Sequence, residues 1–428
     1  KCIEDEIPFE VPEGWAWARL RDICMMSAGK SKSTDQIKSE PFEGSYPCFG
    51  GNGVRGYVDE YNQDGIFSIV GRQGALCGNI NIAIGKFYAT EHAVVTTLFD
   101  GIDFKWSNYI LEALRLNNYA TGAAQPGLSV ANILNVFVPV PPTQEQDRIG
   151  NNVYESLKIV EALEQEKIDL QKIIITAKTK ILDLAIRGKL VPQDPNDEPA
   201  SVLLERIRTE KEELIKQGKI KRDKKESVIF KGDDNSYYLR TGRVEESLED
   251  WRFDDLPETW KICCLGELCD YGDCINVNTE DIAEDAWILD LEDIEKDTGT
   301  VLKKVTKDQR NSVSTKHKFH SGQVLYSKLR PYLNKVVLSD ADGYCTSEIL
   351  PLEFKNCVLP EYARYYLMSG TFIAYANHCS YGVKMPRLGT TDGKKAIFSL
   401  PPLSEQKRIV ETIDFCFVQL NKISEALA

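Results

Sequence analysis

Histidine is scarce: there are 4 in 428 residues. His92, His317, His320 and His378 are too few and too scattered to promise a histidine-based catalytic site. The 12 cysteines are equally dispersed, and no Cys-x-x-Cys spacing occurs. The tightest group is Cys263, Cys264, Cys269 and Cys274, with no histidine beside it. Buried or half-buried thiols are a simpler reading there than zinc. Cysteine this dilute builds no disulfide scaffold, which points to a reduced, cytoplasmic protein. No apolar run approaches the roughly 18 residues of a membrane span. Nothing at the N-terminus resembles a secretory signal, and the chain opens on Lys1, so an upstream piece is expected. An excess of positive charge is missing too. The net charge is −13, from 52 Lys+Arg against 65 Asp+Glu. That argues against blanket electrostatic binding of nucleic acid but permits a local basic surface.

Catalytic nucleotide motifs also fail. Gly29-Lys30-Ser31 is a P-loop fragment, but Cys24 stands where its first glycine is needed. Gly51, Gly53 and Gly56 satisfy Gly-x-Gly-x-x-Gly, yet no apolar strand precedes them and no helix-forming run follows. The double prolines lie in Val140-Pro141-Pro142-Thr143 and Leu400-Pro401-Pro402-Leu403, so neither is the (Asn/Asp/Ser)-Pro-Pro-aromatic motif of an adenine methyltransferase. At 42% hydrophobic and 9% aromatic the chain is globular, and its length suits two or three domains.

The chain repeats itself. Val11-Pro12-Glu13-Gly14-Trp15 returns as Leu256-Pro257-Glu258-Thr259-Trp260, and Leu20, Ile23 and Cys24 return as Leu265, Leu268 and Cys269. Pro141-Pro142-Thr143-Gln144-Glu145-Gln146-Asp147-Arg148-Ile149 returns as Pro401-Pro402-Leu403-Ser404-Glu405-Gln406-Lys407-Arg408-Ile409. Pro126 and Leu128 match Pro386 and Leu388. Each copy thus opens with P-E-x-W and closes with PP-x-x-EQ-x-RI, around inserts that differ. A duplicated frame with divergent inserts suggests two modules doing one job on two targets.

The closing element begins a helix. The prolines end an extended segment, Thr143 or Ser404 can cap the first turn, and Glu145 or Glu405 lies near its positive end. In the first copy helix is predicted to run about 45 residues, until Gly188 stops it. Heptad positions along it are Val153, Val160, Lys167, Ile174 and Ile181 in one set and Ile149, Ser156, Leu163, Leu170, Ala177 and Leu184 in the other, all but Lys167 and Ser156 apolar. The C-terminal copy repeats the register with Ile409, Ile413, Leu420, Ile423 and Leu427. Matching registers predict a coiled-coil seam between two helices; the alternative is an amphipathic helix lying on a globular core.

Between the copies, Gly188 to Pro199 is turn-rich, and Pro199-Ala200-Ser201 opens a helix with Leu203, Leu204, Ile207 and Leu214. Lys216 to Lys225 is strongly basic and reads as a mobile linker or a phosphate-contacting arm. The first insert has short β-like runs at 66–70 and 93–98. Its glycine turns display Asn52, Arg55, Arg72, Gln73, Asn79 and Asn81, residue types that pair with guanine or adenine edges. The second insert has a +8 stretch from Val301 to Val337, where Lys303, Lys304, Lys307, Arg310, Lys316, Lys318, Lys328, Arg330 and Lys335 face only Asp308. His317, His320, Tyr326 and Tyr332 lie within it. This is a local nucleic-acid footprint; a solvated basic face is the plainer reading. Acidic runs such as Glu280 to Asp297 are expected elsewhere, on solvent or a partner. Lys384 and Arg387 are candidate phosphate contacts in the lead-in to the closing element, whose counterpart is Thr121 to Gly127. Both lead-ins are expected to be flexible.

Taken together, these residues resemble the specificity subunit of type I restriction–modification enzymes. The resemblance rests on the doubled PP-x-x-EQ-x-RI element, on Gly188-Lys189-Leu190-Val191-Pro192-Gln193-Asp194 with Glu198-Pro199-Ala200, and on Tyr326-Ser327-Lys328-Leu329-Arg330-Pro331-Tyr332-Leu333. It covers essentially the whole chain. It implies an α/β (α+β) fold: two globular target-recognition domains separated by a pair of long antiparallel coiled-coil helices, with a pseudo-twofold repeat. The expected segments are 1–142 and 251–402 for the recognition domains, 143–187 and 403–428 for the helices, and 188–250 for the conserved connecting region and linker. It implies a non-catalytic DNA-recognition subunit that reads a bipartite site, the helices setting the spacer. Its partners would be double-stranded DNA, two methyltransferase subunits and endonuclease–translocase subunits, with S-adenosylmethionine, ATP and magnesium acting on those partners. Candidate DNA contacts are then Asn52, Arg55, Arg72, Gln73, Asn79, Lys303, Lys304, Lys316, Lys318, Lys328, Arg330, Tyr332, Lys335, Lys384 and Arg387. Relatives carry a connecting segment upstream of the first domain, whereas here residues 2–6 align with 247–251. Two other classes stay open: a coiled-coil adaptor that binds protein only, and an enzyme that modifies DNA.

Overall fold

The computed structural model describes residues 7–74, 76–122, 126–219, 227–234, 236–248, 256–310 and 313–427. It divides into two compact units, Lys1–Glu166 and Lys167–Ala428.

The first unit opens with β1 (Ala16–Arg19), α1 (Leu20–Ile23) and β2 (Cys24–Ala28). Next come β3 (Tyr46–Gly50), β4 (Gly53–Val58), β5 (Gln63–Gly71), β6 (Ile80–Ala89) and β7 (Ala93–Leu98). Two helices, α2 (Phe104–Ala113) and α3 (Val130–Ile133), precede β8 (Phe137–Val140) and the long α4 (Thr143–Ile186). Six strands form one sheet in the order β2-β7-β5-β6-β3-β4. All neighbours are antiparallel except β3 and β6. The core lies between this sheet and the helices, with Trp106, Leu111, Leu116, Leu128, Ile133 and Val138 packed on Leu20, Val70 and Val94.

The second unit holds α5 (Ala200–Lys216), then β9 (Ser227–Lys231), β10 (Tyr237–Thr241) and β11 (Val244–Ser247). Its frame begins with β12 (Lys261–Cys264) and α6 (Leu265–Leu268). The insert contains β13 (Ile275–Val277), β14 (Trp287–Leu289), β15 (Val305–Thr306), β16 (Lys316–Phe319), β17 (Val324–Ser327), β18 (Val336–Leu338), β19 (Gly343–Thr346) and β20 (Ile349–Leu352). Then come α7 (Pro360–Leu367), α8 (Gly370–His378), α9 (Thr390–Lys395), β21 (Ile397–Leu400) and α10 (Leu403–Ala426). The sheets run β13-β16-β19-β14-β15, β18-β17-β20 and β11-β10-β9.

The repeated sequence elements are the two ends of one frame. Ala16 to Arg19 pair antiparallel with Val140 to Phe137, and Lys261 to Cys264 with Leu400 to Ile397. The Trp15 Nε1–H donates to Glu145 Oε2 at 3.1 Å, and the Trp260 Nε1–H donates to Glu405 Oε2 at 2.8 Å. The neighbouring glutamine ties in a third element. Gln146 Nε2 donates to the Pro141 carbonyl and its Oε1 accepts from Asp103 N, both at 2.9 Å. Gln406 Nε2 donates to the carbonyls of Cys357 and Pro401 at 2.9 and 3.0 Å, and its Oε1 accepts from Leu359 N at 2.8 Å. Neither expected hydroxyl cap forms. Thr143 Oγ1 donates to the Gly101 carbonyl at 3.1 Å and Ser404 Oγ to Asp197 Oδ1 at 2.5 Å, because both hydroxyls are drawn to neighbouring segments.

Helix α4 ends as expected: Gly188 takes a φ of +65°, and Lys189 N donates to the Leu184 carbonyl at 2.9 Å. The following turn docks on the start of α10. Gln193 Nε2 donates to Glu405 Oε1, and Arg408 pairs with Asp197 at 2.6 Å. The Arg408 guanidinium holds the Asp197 carboxyl below the usual carboxylate range. Part of the connecting region is a folded meander. β9 and β10 pack Ile229 and Leu239 against Ile262, Cys264 and Ile397. The basic residues Lys221, Arg222, Lys224 and Lys225 lie outside the described residues, as do Cys2 to Glu6.

The seam is shorter than its heptads predict. Ile174 is buried and Ile181 and Leu184 half-buried, while Leu182, Ala185 and Ile186 join the core containing Ile409 and Ile413. Lys178 Nζ donates to Asn421 Oδ1 at 2.6 Å, whereas Ser399 Oγ donates to the Ile186 carbonyl at 2.7 Å, so the segments run antiparallel. Leu420 and Leu427 are half-buried and Ile423 is exposed. Further up, Val160, Leu163 and Leu170 are exposed, correcting their assignment to the seam. Val153 is half-buried, and Ile149 packs on the first unit's own core. The cause is length. α10 has only 24 residues, and its first turns are committed to the core of the second unit.

Candidate nucleic-acid interface

The two inserts share a substructure that their sequences hide. In the first unit Gly71 N bonds to the Asn79 carbonyl, Arg72 N to the His92 carbonyl and Cys77 N to the Gly74 carbonyl. In the second, Ser327 N bonds to Lys335, Lys328 N to Glu348 and Leu333 N to Arg330, at the same places in the loop. A second loop crosses the first. Gly74 N donates to Pro126 O and Leu128 N to Arg72 O; Arg330 N donates to Pro386 O and Leu388 N to Lys328 O. Thr121 and Gly127 exchange both backbone bonds, as do Tyr381 and Arg387. The lead-ins expected to be flexible are therefore bridged at these ends. Residues 123–125 lie outside the described residues.

The loop turns through the left-handed region at two positions. The first copy uses Gly74 and Gly78, with φ of +93° and +86°. The second uses Arg330 and Asn334, with φ of +50° and +49°. Asparagine tolerates this conformation, but arginine there costs of order 1 kcal/mol. Strain of that kind concentrates where function requires a particular side chain.

Arg72 and Gln73 are exposed on this loop in the first unit. With Glu91, His92 and Thr121 they line an open pocket of about 360 Å³. In the second unit Arg387 and Glu348 replace Gly127 and His92, and Arg387 grips Glu348 through Nε and Nη2 at 2.9–3.1 Å. Asn52 and Asn79 hydrogen-bond to each other at 2.7 Å on the same side of the unit, and Arg55 bonds to Thr34 at 3.0 Å. The amide nitrogen of Asn81 is buried without a partner.

Most of the +8 stretch is spent inside the second unit. Arg310 pairs with Asp290 and Asp293 at 2.6 and 2.5 Å, and Lys316, only 2% exposed, lies 3.8 Å from Asp290. Lys303 lies 3.7 Å from Asp293, Lys304 pairs with Asp340 at 2.7 Å, and Lys307 with Glu284 at 3.0 Å. Lys335 donates to the Leu291 carbonyl, and burial pulls its pKa down. The acidic run that was expected elsewhere is thus the internal counter-charge of the basic run. Among the described residues, Lys318, Lys328, Arg330 and Lys384 make no ion pair. Lys328, Arg330 and Lys384 lie on or beside the two crossing loops, with Tyr332 half exposed among them.

His317 is no ligand. It is buried, its Nδ1 lies 2.8 Å from the Ile349 carbonyl, and desolvation lowers its pKa. The unfolded chain therefore binds the proton first. The stability contributed by neutral His317 is present above about pH 6.5 and is lost as pH falls through its depressed value. Exposed His320 has the opposite sign, its pKa being raised by the Ser321 carbonyl and by Glu353. Melting wild type beside His317→Asn isolates the buried group: the wild-type advantage is expected to shrink between pH 7.5 and 5.5. Cys263, Cys264 and Cys269 are buried, and burial pushes the Cys357 thiol up to about 11, which disfavours the reactive thiolate there. Among the described residues no cluster of three His, Cys, Asp or Glu side chains could hold a metal.

A family model described as the type I restriction modification DNA specificity domain matches residues 12–177 and again 257–426. The chain belongs to this family. The two matches begin at the two P-E-x-W elements and include both loop pairs. Over a 500-residue alignment the chain is 25% identical to the specificity subunit of type I restriction enzyme EcoAI of Escherichia coli, covering 98% of this chain and 80% of that subunit. A 123-residue stretch is 50% identical to the Escherichia coli EcoprrI specificity subunit, spanning 28% of this chain and 31% of that one. Among solved structures, the HsdS subunit of Thermoanaerobacter tengcongensis shares the fold, with a TM-score of 0.52 at 15% identity, covering 98% of this chain and 93% of that one. This specificity chain serves DNA sequence recognition and is not an enzyme. No helix among its described residues is long and apolar enough to cross a membrane.

Proposed function

We propose that this chain reads a two-part DNA site, one half per unit, and carries the methyltransferase subunits of a type I restriction–modification complex. One observation carries the reading: both units present the same pair of crossing loops, hydrogen-bonded alike through the backbone and furnished with different side chains. Arg72 and Gln73 suit guanine and adenine edges, and Lys328 and Arg330 suit phosphate or guanine. Two methyltransferase subunits and endonuclease–translocase subunits complete the assembly. S-adenosylmethionine, ATP and magnesium belong to those partners, and the cytoplasm is where the complex works.

The test is methylation mapping. The chain is co-expressed with its neighbouring methyltransferase gene in a methylation-free host, and modified adenines are sequenced genome-wide. A split motif with a fixed spacer is expected. A soluble complex that methylates nothing overturns the proposal.

Salt dependence gives a second expected result. The four described cations in and beside the basic stretch that make no ion pair predict a contribution of about −4 to the slope of log K against log salt, about half of what the whole basic run implies. Lys328→Gln is expected to reduce the slope by about 1. Lys303→Gln and Lys304→Gln are expected to leave it unchanged, as fluorescence anisotropy over a salt series would show.

A further inference from the structure

We infer that loop 327–335 is the reading head of the second unit and that Arg330 is its specificity-determining DNA contact. The inference rests on the recognition role proposed above and assigns that role to one residue.

Three independent observations meet at Arg330. The first is backbone strain. This position is left-handed in both copies, and the first copy fills it with Gly74. Glycine is the unstrained choice there, so retaining a side chain needs a reason outside the local fold. The second is the state of that side chain. Its guanidinium makes no ion pair and no hydrogen bond among the described residues, and its Nε is buried without a partner. Arg387, on the crossing loop, is by contrast fully engaged by Glu348. The third is electrostatic. Five cations of the surrounding basic stretch are neutralised by carboxylates of their own unit, whereas Lys328 and Lys384 beside Arg330 are not.

An unpaired planar fork flanked by two unpaired lysines fits a pair of acceptor oxygens or nitrogens on DNA. These are either the O6 and N7 of guanine or two oxygens of a phosphate. The loop has room for this role because the bonds that hold it run through the backbone and through Ser327, Asn334 and Lys335, none of them through the Arg330 side chain. The first unit applies the same loop with Arg72 and Gln73 projecting, so the two heads differ in chemistry while sharing a geometry.

Arg330→Gly is the decisive variant, since it installs the residue that the other copy already uses. The probe is a duplex selected by the wild-type chain, in complex with its methyltransferase partner, from a pool of 60-base-pair duplexes with randomised centres. The variant is expected to melt at the wild-type temperature or a few degrees above it. Its affinity for the probe is expected to fall tenfold to a hundredfold. Single base-pair changes in the probe then locate the contact. Lost discrimination at one pair assigns a guanine edge and supports the inference, whereas a uniform loss with a smaller salt slope assigns a phosphate contact and overturns the specificity role. Arg330→Lys, which keeps the charge and loses the fork, is expected to fall between wild type and glycine. Asn334→Gly relaxes the second left-handed position and is expected to bind as wild type. Wild-type affinity in Arg330→Gly overturns the inference, as does wild-type affinity in Arg330→Lys should the glycine variant fail to fold. A wild-type complex that selects no duplex defeats the recognition proposal itself, which is a separate result.

Discussion

Replacing Gln406 with leucine is expected to destabilise the second unit by about 3–5 kcal/mol, with almost no change in side-chain volume. Gln406 is fully buried, and its amide satisfies three backbone groups from two segments that are distant along the chain. They are the Leu359 N–H at the start of α7, the Cys357 carbonyl just before it, and the Pro401 carbonyl at the end of β21. Leucine fills the space but leaves all three without a partner. A buried group stripped of its hydrogen bond costs about 1–3 kcal/mol, and three neighbours do not add fully. The loss should appear in thermal or urea unfolding followed through the tryptophans of the second unit. Gln146→Leu in the first unit strands two groups rather than three, so a smaller loss is expected there. The exposed Gln144 provides the control: Gln144→Leu should melt as wild type. A Gln406→Leu protein within about 1 kcal/mol of wild type would mean that the glutamine does not hold the frame together.

The same residue explains why the frame was legible in the sequence. Trp15 with Glu145, and Trp260 with Glu405, close the ends of each copy through side chains. A side-chain clasp requires particular residues, so duplication leaves matching letters. The crossing loops leave almost none. Gly71, Arg72, Gln73 and Gly74 correspond to Ser327, Lys328, Leu329 and Arg330, and no letter is shared. The contacts they share are backbone to backbone and specify no side chain, so the geometry survives while the chemistry diverges. Only Pro126 and Leu128, matched by Pro386 and Leu388, hinted at it. Charge counting failed for a related reason. It registered nine cations in one stretch but not Asp290 and Asp293, which neutralise Arg310 from outside it. The heptads mark mostly apolar positions, of which Val160, Leu163, Leu170 and Ile423 are exposed. A register shows which side of a helix is apolar, yet not how much partner is available to cover it.

That uncovered length makes the second large effect accessible. Seven residues inserted into α4 between Leu157 and Ile168 are expected to lengthen the unspecified spacer of the recognised site. Every residue from Tyr154 to Ile173 is exposed, so the insertion disturbs neither core. At 1.5 Å per residue it adds about 10 Å, which corresponds to at most three base pairs at 3.4 Å each. Rotation limits the gain. Seven residues turn a helix back by about 20°, whereas three base pairs turn B-DNA by roughly 100°. The units must follow both translation and twist, so an increase of one to three base pairs is expected. A four-residue insertion adds about 6 Å and turns the helix by roughly 40°, and should lengthen the spacer by less. Methylation mapping of both insertion variants beside wild type reads the spacer directly, with both half-sites expected to be unchanged in sequence. Unaltered half-sites with an unaltered spacer would show that α4 sets no distance, and that the spacing is fixed by the partners instead.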